Sequence, residues 1–463
     1  MIEKNCDYQG VVDDFGSNAE GVIHYEDKVV FVPFAIPNEK VDFKVLKVDK
    51  NIAYGKLLSV FENSPYRVSP KCPVFGKCGG CSFQHVEYSK TLEVKRQNVQ
   101  NAFKKVALLN VEVNETVPSD KVYGYRNKLQ LPVQCVNGVN TIGFYARNSH
   151  RIIPIEDCPI NPEWTAEIIK VFKKYLSLNG VSSFDPISKK GLVREITVKQ
   201  AGGLFITVVC TSEILPHKDL LIKLLNEKFD KYSLYLNVNN NENNVIYGEK
   251  FIKIYGQESF ENELNGVKFK SGVRSFLQVN DGVCKKLYEK AVNEVLKDSP
   301  EIVIDAYSGA GITTAMIAKK AKKVYGIEIV KEAVDCADDL ARFNGLSDNI
   351  KNYCGKTEEI LPELIKSVSG KTAMLLDPPR KGCDEKVLKS ILESKPERIV
   401  YVSCMPSTLA RDVGVLCGSL KFGEKGIEKS EYSDGLYQIE SVTPFDMFPQ
   451  TPHVETVCLL TRK

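Results

Sequence analysis

No apolar run in this 463-residue chain approaches the roughly 20 residues that a membrane-crossing helix requires. The opening residues, Met1 to Gly10, are polar and carry no leader-like apolar stretch, so a cytoplasmic protein is expected. Net charge is nearly absent as well: a formal +3 does not announce a polyanionic partner through bulk charge. The charge is unevenly placed, however. Residues 1–62 hold seven Lys/Arg against eleven Asp/Glu, whereas residues 63–130 hold eleven against five, so any basic surface belongs to the second stretch. Fourteen cysteines in a cytoplasmic chain of this size do not make a disulfide framework. Ten are scattered, and most of those read as small buried hydrophobes. What remains is an ordinary globular composition, 43% apolar and 26% charged, long enough for roughly two to four domains with a core apiece.

Residues 1–62 alternate like an all-β module. Short apolar runs begin at Gly21, Lys28 and Val41, separated by Glu26-Asp27 and by Pro37 to Glu39. Strands at that spacing predict a small barrel of the OB type, a platform that often binds RNA. Cys72, Cys78 and Cys81 follow, with Gly79 and Gly80 letting the backbone wrap closely. Such a cluster predicts a metal or an iron–sulfur cluster held by thiolates, with Cys158, followed by Pro159, as the fourth ligand. Zinc is the competing occupant and His85 the competing fourth ligand. Residues 89–106 predict an amphipathic helix, with Leu92, Val99 and Phe103 inward and Lys90, Lys95, Arg96 and Lys104 on a basic face. Aromatics mixed with cations from Tyr123 to Lys128 and from Phe144 to Arg147 suit single-stranded RNA. The stretch up to residue 262 reads as an α+β unit.

From about residue 263 strand and helix alternate. The strand ending at Asp305 runs into a turn with Gly309 and Gly311, a helix starts at Ile312, and the next strand ends in Glu328. That order predicts the nucleotide-binding half of a doubly wound sheet, the acid reaching ribose hydroxyls. Thr314 stands where the dinucleotide fingerprint has its third glycine, which favours S-adenosylmethionine, a ligand with no pyrophosphate to seat. Asp377-Pro378-Pro379 closes a further strand. Arg380 follows it, where amino-group methylases place an aromatic ring, which argues against amino methylation. Arg398 to Val402 is a β-branched and aromatic strand leading to Cys404, and Ser407 is placed to cap a helix beginning near Thr408. A thiol on such a loop, near a helix N-terminus, is predicted to be more acidic and more nucleophilic than a free one. A buried structural thiol is the plainer alternative.

Together these motifs resemble the uracil-5-methyltransferase family of tRNA and 23S rRNA enzymes. The resemblance rests on Cys72-x5-Cys78-Gly-Gly-Cys81, Phe276-Leu-Gln278-Val-Asn280, Asp305-x3-Gly309-x-Gly311 and Asp377-Pro-Pro-Arg380. It rests also on Ser403-Cys404-x-Pro406-x-Thr408-Leu-Ala-Arg411-Asp412 and on the run from Asp446 through His453 to Glu455. It implies an α/β protein with a Rossmann-like S-adenosylmethionine-dependent methyltransferase domain at 263–463. Before it would come an OB-fold barrel of the TRAM type at 1–62 and an α+β iron–sulfur domain at 63–262, whose helix 89–117 packs on the catalytic domain. It implies a [4Fe–4S] cluster on Cys72, Cys78, Cys81 and Cys158, and S-adenosylmethionine held by Gln278, Tyr307, Glu328 and Asp377. The barrel-and-cluster architecture resembles the 23S rRNA branch, so a loop or single-stranded uridine of 23S rRNA is the expected substrate and a monomer the expected state. A tRNA T-loop uridine is the alternative substrate, and a non-catalytic RNA-binding ribosome assembly factor the alternative role. Met405 stands where the family usually has Asn after its cysteine.

The chemistry makes the same assignment. Carbon 5 of uracil is a poor nucleophile, and attack of the Cys404 thiolate on carbon 6 turns it into an enolate carbon that accepts a methyl. A base must then remove the carbon-5 proton so that the cysteine can leave, and Glu455 is the expected base. Asp377 and Arg380 are expected to orient the uracil, which must be unstacked to be reached.

Overall fold

A computed structural model of the chain describes residues 2–185, 188–243, 245–424, 426–431 and 434–463. The chain builds three large sheets in succession. The first has six strands between Asp7 and Glu62, antiparallel except where Val29–Phe31 runs parallel to Ile52–Tyr54. Alternation sets its inner face, with Val30, Val32, Val41, Phe43, Val45 and Ala53 buried together. The sheet curls on itself: a Cβ at Gly10, on its edge strand, would stand 2.8 Å from Ile23 near the opposite end. Only glycine permits that approach.

The second sheet has seven strands, in the order 250–255, 232–238, 204–210, 193–200, 128–136, 139–145, 152–154. Only 204–210 and 232–238 pair in parallel, as the helix Lys218–Asn226 that crosses between them requires. That helix and Trp164–Leu176 cover one face, burying Ile168, Phe172 and Leu221 against Leu131, Ile196 and Ile206. The hairpin Ser259–Gly272 then joins two cores, Phe260 packing with Phe205 and Tyr235, and Val267 with Leu287 and Val303.

The third sheet orders its strands 350–354, 323–328, 302–306, 372–376, 398–403, 455–462, 437–445. The first five are parallel and the last two antiparallel. The inner parallel strands 302–306, 372–376 and 398–403 are mostly buried because helices cover both faces, and Arg398–Ser403 is buried at every position. The chain order reverses between 302–306 and 372–376, which opens a crevice at their carboxyl ends.

The predicted helix over 89–117 is shorter. It runs from Tyr88 to Ala102, widens into a π turn at Phe103–Ala107, and becomes extended, with Val117 bridged to Phe445. Val99, Phe103, Ala107 and Val113 lie in the same apolar cluster as Ile399, Tyr401 and Leu409. Lys95 does not belong to a solvated basic face. It is fully buried and paired with Asp446, because the helix is covered on that side by the loop preceding Glu455. Tyr125 is buried too, its hydroxyl donating to the Pro449 carbonyl at 3.0 Å, so it is no stacking ring. Tyr123 and Tyr145 keep exposed surface, and Lys71 sits 4.5 Å over the Tyr123 ring. Among the described residues no helix is long and apolar enough to cross a membrane.

Candidate active site

Cys404 leaves the buried strand Arg398–Ser403 and lies half-buried just before a helix. The helix begins at Pro406, not Thr408, and its N-cap is Met405. Proline fits that first helical position because the N–H it lacks would have no partner there. Ser403 replaces Ser407 as the local hydroxyl, its Oγ accepting from the Met405 amide at 3.1 Å. Antiparallel pairing sets Ser403 against Thr456, so the next residue along each path, Cys404 and Glu455, emerges at the same sheet end. Asp377 directly follows the neighbouring strand Thr372–Leu376, and Arg380 lies three residues beyond.

Charge ties these four together. Burial pushes the Glu455 carboxyl up to about 8, with Asp377 adding to the rise and Arg380 opposing it. Asp377 is pushed up to about 7, by burial first and then by Asp305. It keeps some solvent-accessible surface as a residue, but its carboxyl lies deep among the strand ends. The Cys404 thiol is not more acidic than usual: burial raises it, Glu455 and Asp377 raise it further, and Arg380 opposes them by charge and by a hydrogen bond. Desolvation of a thiolate among acids outweighs the helix terminus.

The glycine turn lies at the adjoining strand ends. Asp305 is buried and accepts from Thr313 and Thr314 at 2.8 and 2.6 Å; burial raises it to about 6 against those donors. Thr314 therefore braces the turn from beneath, at the position where the dinucleotide fingerprint would have glycine. Tyr307 adopts φ of 67° and Gly309 φ of 54°, with open space where a Gly309 side chain would be. The Glu328 carboxylate accepts from the Gly309 amide at 3.1 Å and from the Val330 amide at 2.8 Å. Gln278 precedes Asn280, which caps the helix Asp281–Val295, and Asn127, just before the strand 128–136, donates to the Gln278 carbonyl at 2.8 Å. Tyr288 bonds to the Gln278 side chain and feels both Asp377 and Glu455, so Gln278 belongs to the same crevice.

Cys72, Cys78, Cys81 and Cys158 are brought together from two parts of the chain. Cys158 is pushed up to about 12, by burial and then by Cys81, Cys78 and Cys72. Cys81 rises to about 11 by burial, Gln84 opposing and Cys78 and Cys72 adding. The Gly80 amide donates to the Cys78 sulfur at 3.4 Å, and Cys78 bridges to Ala146 of the central sheet. His85 packs against Phe34 and Phe75 instead, at 5.8 and 5.3 Å between ring centres. Among the described residues no three His, Cys, Asp or Glu side chains are close enough to hold a metal ion as they stand.

The doubly wound sheet with an antiparallel end and acids at its carboxyl edge defines an α/β methyltransferase. The model of the tRNA (uracil-5-)-methyltransferase family matches residues 87–463, and the chain belongs to that family. It is 38% identical to an uncharacterized RNA methyltransferase of Clostridium acetobutylicum, covering 100% of this chain and 98% of that one. An uncharacterized RNA methyltransferase of Clostridium tetani is 39% identical, with 99% and 97% covered. The tRNA (uracil-54, C5)-methyltransferase of Pyrococcus abyssi, solved in complex with S-adenosyl-L-homocysteine, superposes with a TM-score of 0.77 at 26% identity, covering 98% of this chain and 100% of that one. The protein is thus an enzyme of the RNA methyltransferase class.

Proposed function

We propose that this enzyme transfers a methyl group from S-adenosylmethionine to carbon 5 of a uridine in 23S rRNA through a covalent adduct between Cys404 and uracil carbon 6. The observation that carries this reading is the convergence of Cys404, Arg380, Asp377 and Glu455 at one sheet edge, each acting on another's charge. S-adenosylmethionine, when bound, supplies an electrophilic methyl. Tyr307, the turn open at Gly309, Glu328, Gln278 and Asp377 are the groups that would hold it. Cys404 adds to carbon 6 as the thiolate, Arg380 offsets the charge that burial disfavours, and Asp377 orients the uracil. Glu455 takes the carbon-5 proton, after which the sulfur leaves. Raised to about 8, Glu455 must ionise before it accepts that proton, and once ionised it is a stronger base than an ordinary carboxylate.

We read the four thiols, near enough to act on one another's charge though not in ligating position as they stand, as the ligand set of a [4Fe–4S] cluster. Cys72, Cys78, Cys81 and Cys158 would hold it. Its role there would be structural, tying the 72–81 loop to the segment entering the helix Trp164–Leu176.

A tRNA uridine is the second reading, and a specific observation favours it. The Pyrococcus tRNA enzyme spans the whole of this architecture, so barrel and central sheet do not by themselves separate the two substrates. Mapping 5-methyluridine in rRNA and tRNA from a strain lacking this gene decides. Loss from 23S rRNA alone is expected, and loss from tRNA alone would replace the substrate while leaving the chemistry.

A further inference from the structure

The helix that follows Cys404 carries polar side chains that this mechanism does not use, three of them turned to the neighbouring loop. Thr408, Arg411 and Asp412 are spaced three and four apart and so share one face of Pro406–Leu416. All three grip the loop after Asp377-Pro-Pro. The Thr408 hydroxyl lies 3.1 Å from the Arg380 carbonyl, and also 3.1 Å from that of Met405. Arg411 donates to the Lys381 carbonyl at 2.9 Å, and Asp412 accepts from the Cys383 amide at 2.8 Å. Asp412 is fully buried and further bonded by the Tyr401 hydroxyl at 2.6 Å and by Arg411 Nε at 2.7 Å. The loop passes directly over this pair. A Cβ on Gly382, which has φ of 79°, would stand 2.5 Å from Arg411 and 2.6 Å from Asp412.

An exposed arginine on a glycine-containing loop has no fixed position of its own. Here its backbone is held at residues 380, 381 and 383 by one rigid helix, and that helix starts two residues after the nucleophile. We infer that Thr408, Arg411 and Asp412 are positioning residues that hold Arg380 against the Cys404 sulfur, so that nucleophile and cation move as one unit. The buried carboxylate of Asp412 therefore acts on the thiol through Arg380. The groups facing Asp412 are Arg411, Tyr401 and Cys383, and those facing Cys404 are Glu455, Arg380 and Asp377. The inference rests on Cys404 being the nucleophile and Arg380 its cation.

The test reads the thiol directly. Alkylation of Cys404 by iodoacetamide is followed against pH by mass spectrometry of its peptide, in the full-length protein and in Arg380→Ala, Asp412→Asn and Thr408→Val. Arg380→Ala should move the alkylation midpoint upward by about one pH unit, roughly tenfold slower reaction at fixed pH. Asp412→Asn and Thr408→Val should move it the same way by about half as much. Neither should add to the shift when combined with Arg380→Ala, because they act through it. If Arg380→Ala shifts the midpoint and neither helix variant does, or if their shifts add fully to it, the positioning role is overturned and the function stands. If Arg380→Ala leaves the midpoint unmoved, the contact between Arg380 and Cys404 fails, and the inference with it. Should Asp412→Asn not fold, Thr408→Val at a half-buried hydroxyl decides alone.

Discussion

Glu455→Gln isolates the proposed base, because the amide keeps the shape and removes both the proton acceptor and the titration. Folding raises this carboxyl from its ordinary 4.5 to about 8. The folded protein therefore keeps a proton that the unfolded chain sheds near pH 4.5. Stability associated with the neutral acid is fully present below pH 4.5 and is lost as pH rises through about 8. At about 1.4 kcal/mol per pH unit, that interval sets a ceiling near ~5 kcal/mol on the loss. Glu455→Gln escapes it. Urea unfolding at stepped pH should show the variant gaining on wild type from pH 5 to 8 and holding its lead above. The chemical arm is independent. Attack and methyl transfer remain possible without the base, so a covalent enzyme–RNA complex carrying the methyl should survive a denaturing gel, with little free product. Normal turnover, or no adduct in a variant that still binds RNA, would refute the assignment. A stability difference independent of pH would refute the burial argument separately.

Cys404→Ala should bind RNA yet give neither methylation nor adduct, since no enolate forms; methyl incorporation from labelled cofactor checks this. Cys78→Ala should abolish the iron and acid-labile sulfide of anaerobically purified protein and destabilise residues 63–160, whereas one zinc and no iron would overturn the cluster. Glu328→Ala should weaken S-adenosylmethionine binding by roughly 1–3 kcal/mol in calorimetry, the order of a charge-assisted hydrogen bond. Lys95→Met strands the buried Asp446 carboxylate and should cost about 3–5 kcal/mol in urea unfolding, much of it regained when Asp446 is also made apolar.

The parts of this fold legible in the sequence are those governed by local pattern. Continuous β-branched runs gave away the buried parallel strands, and glycines with a spaced acid gave away the turn between Asp305 and Glu328. Residues whose role depends on what packs over them were not legible. Lys95 falls where a helical wheel shows a basic face, yet Asp446, 351 positions later, covers it. Tyr125 sits in a run of aromatics and cations that reads as RNA-binding, and the 449 carbonyl buries it. Ser407 is a better capping residue than Met405, but Pro406 tolerates only the first helical position and moves the cap. Asp412 was visible as a motif position without a task, because its partners Tyr401, Cys383 and Arg411 meet only in three dimensions.

A raised thiol and a raised base at one site look like two obstacles to catalysis, and in the proposed mechanism each relieves the other. Cys404 is held up partly by Glu455, so the two resist being charged together. Near neutral pH Glu455 still carries its proton, and the acid beside the sulfur is then neutral when the thiolate must form. Addition to carbon 6 turns that thiolate into an uncharged thioether. Burial and Asp377 still hold Glu455 up, but Arg380, which lowers both groups, then acts on that carboxyl with no thiolate beside it. Glu455 must then release its own proton to solvent before it takes the one on carbon 5, and Arg380 favours that ionised form. The site therefore carries its negative charge on sulfur first and on carboxylate second, with one fixed cation serving both.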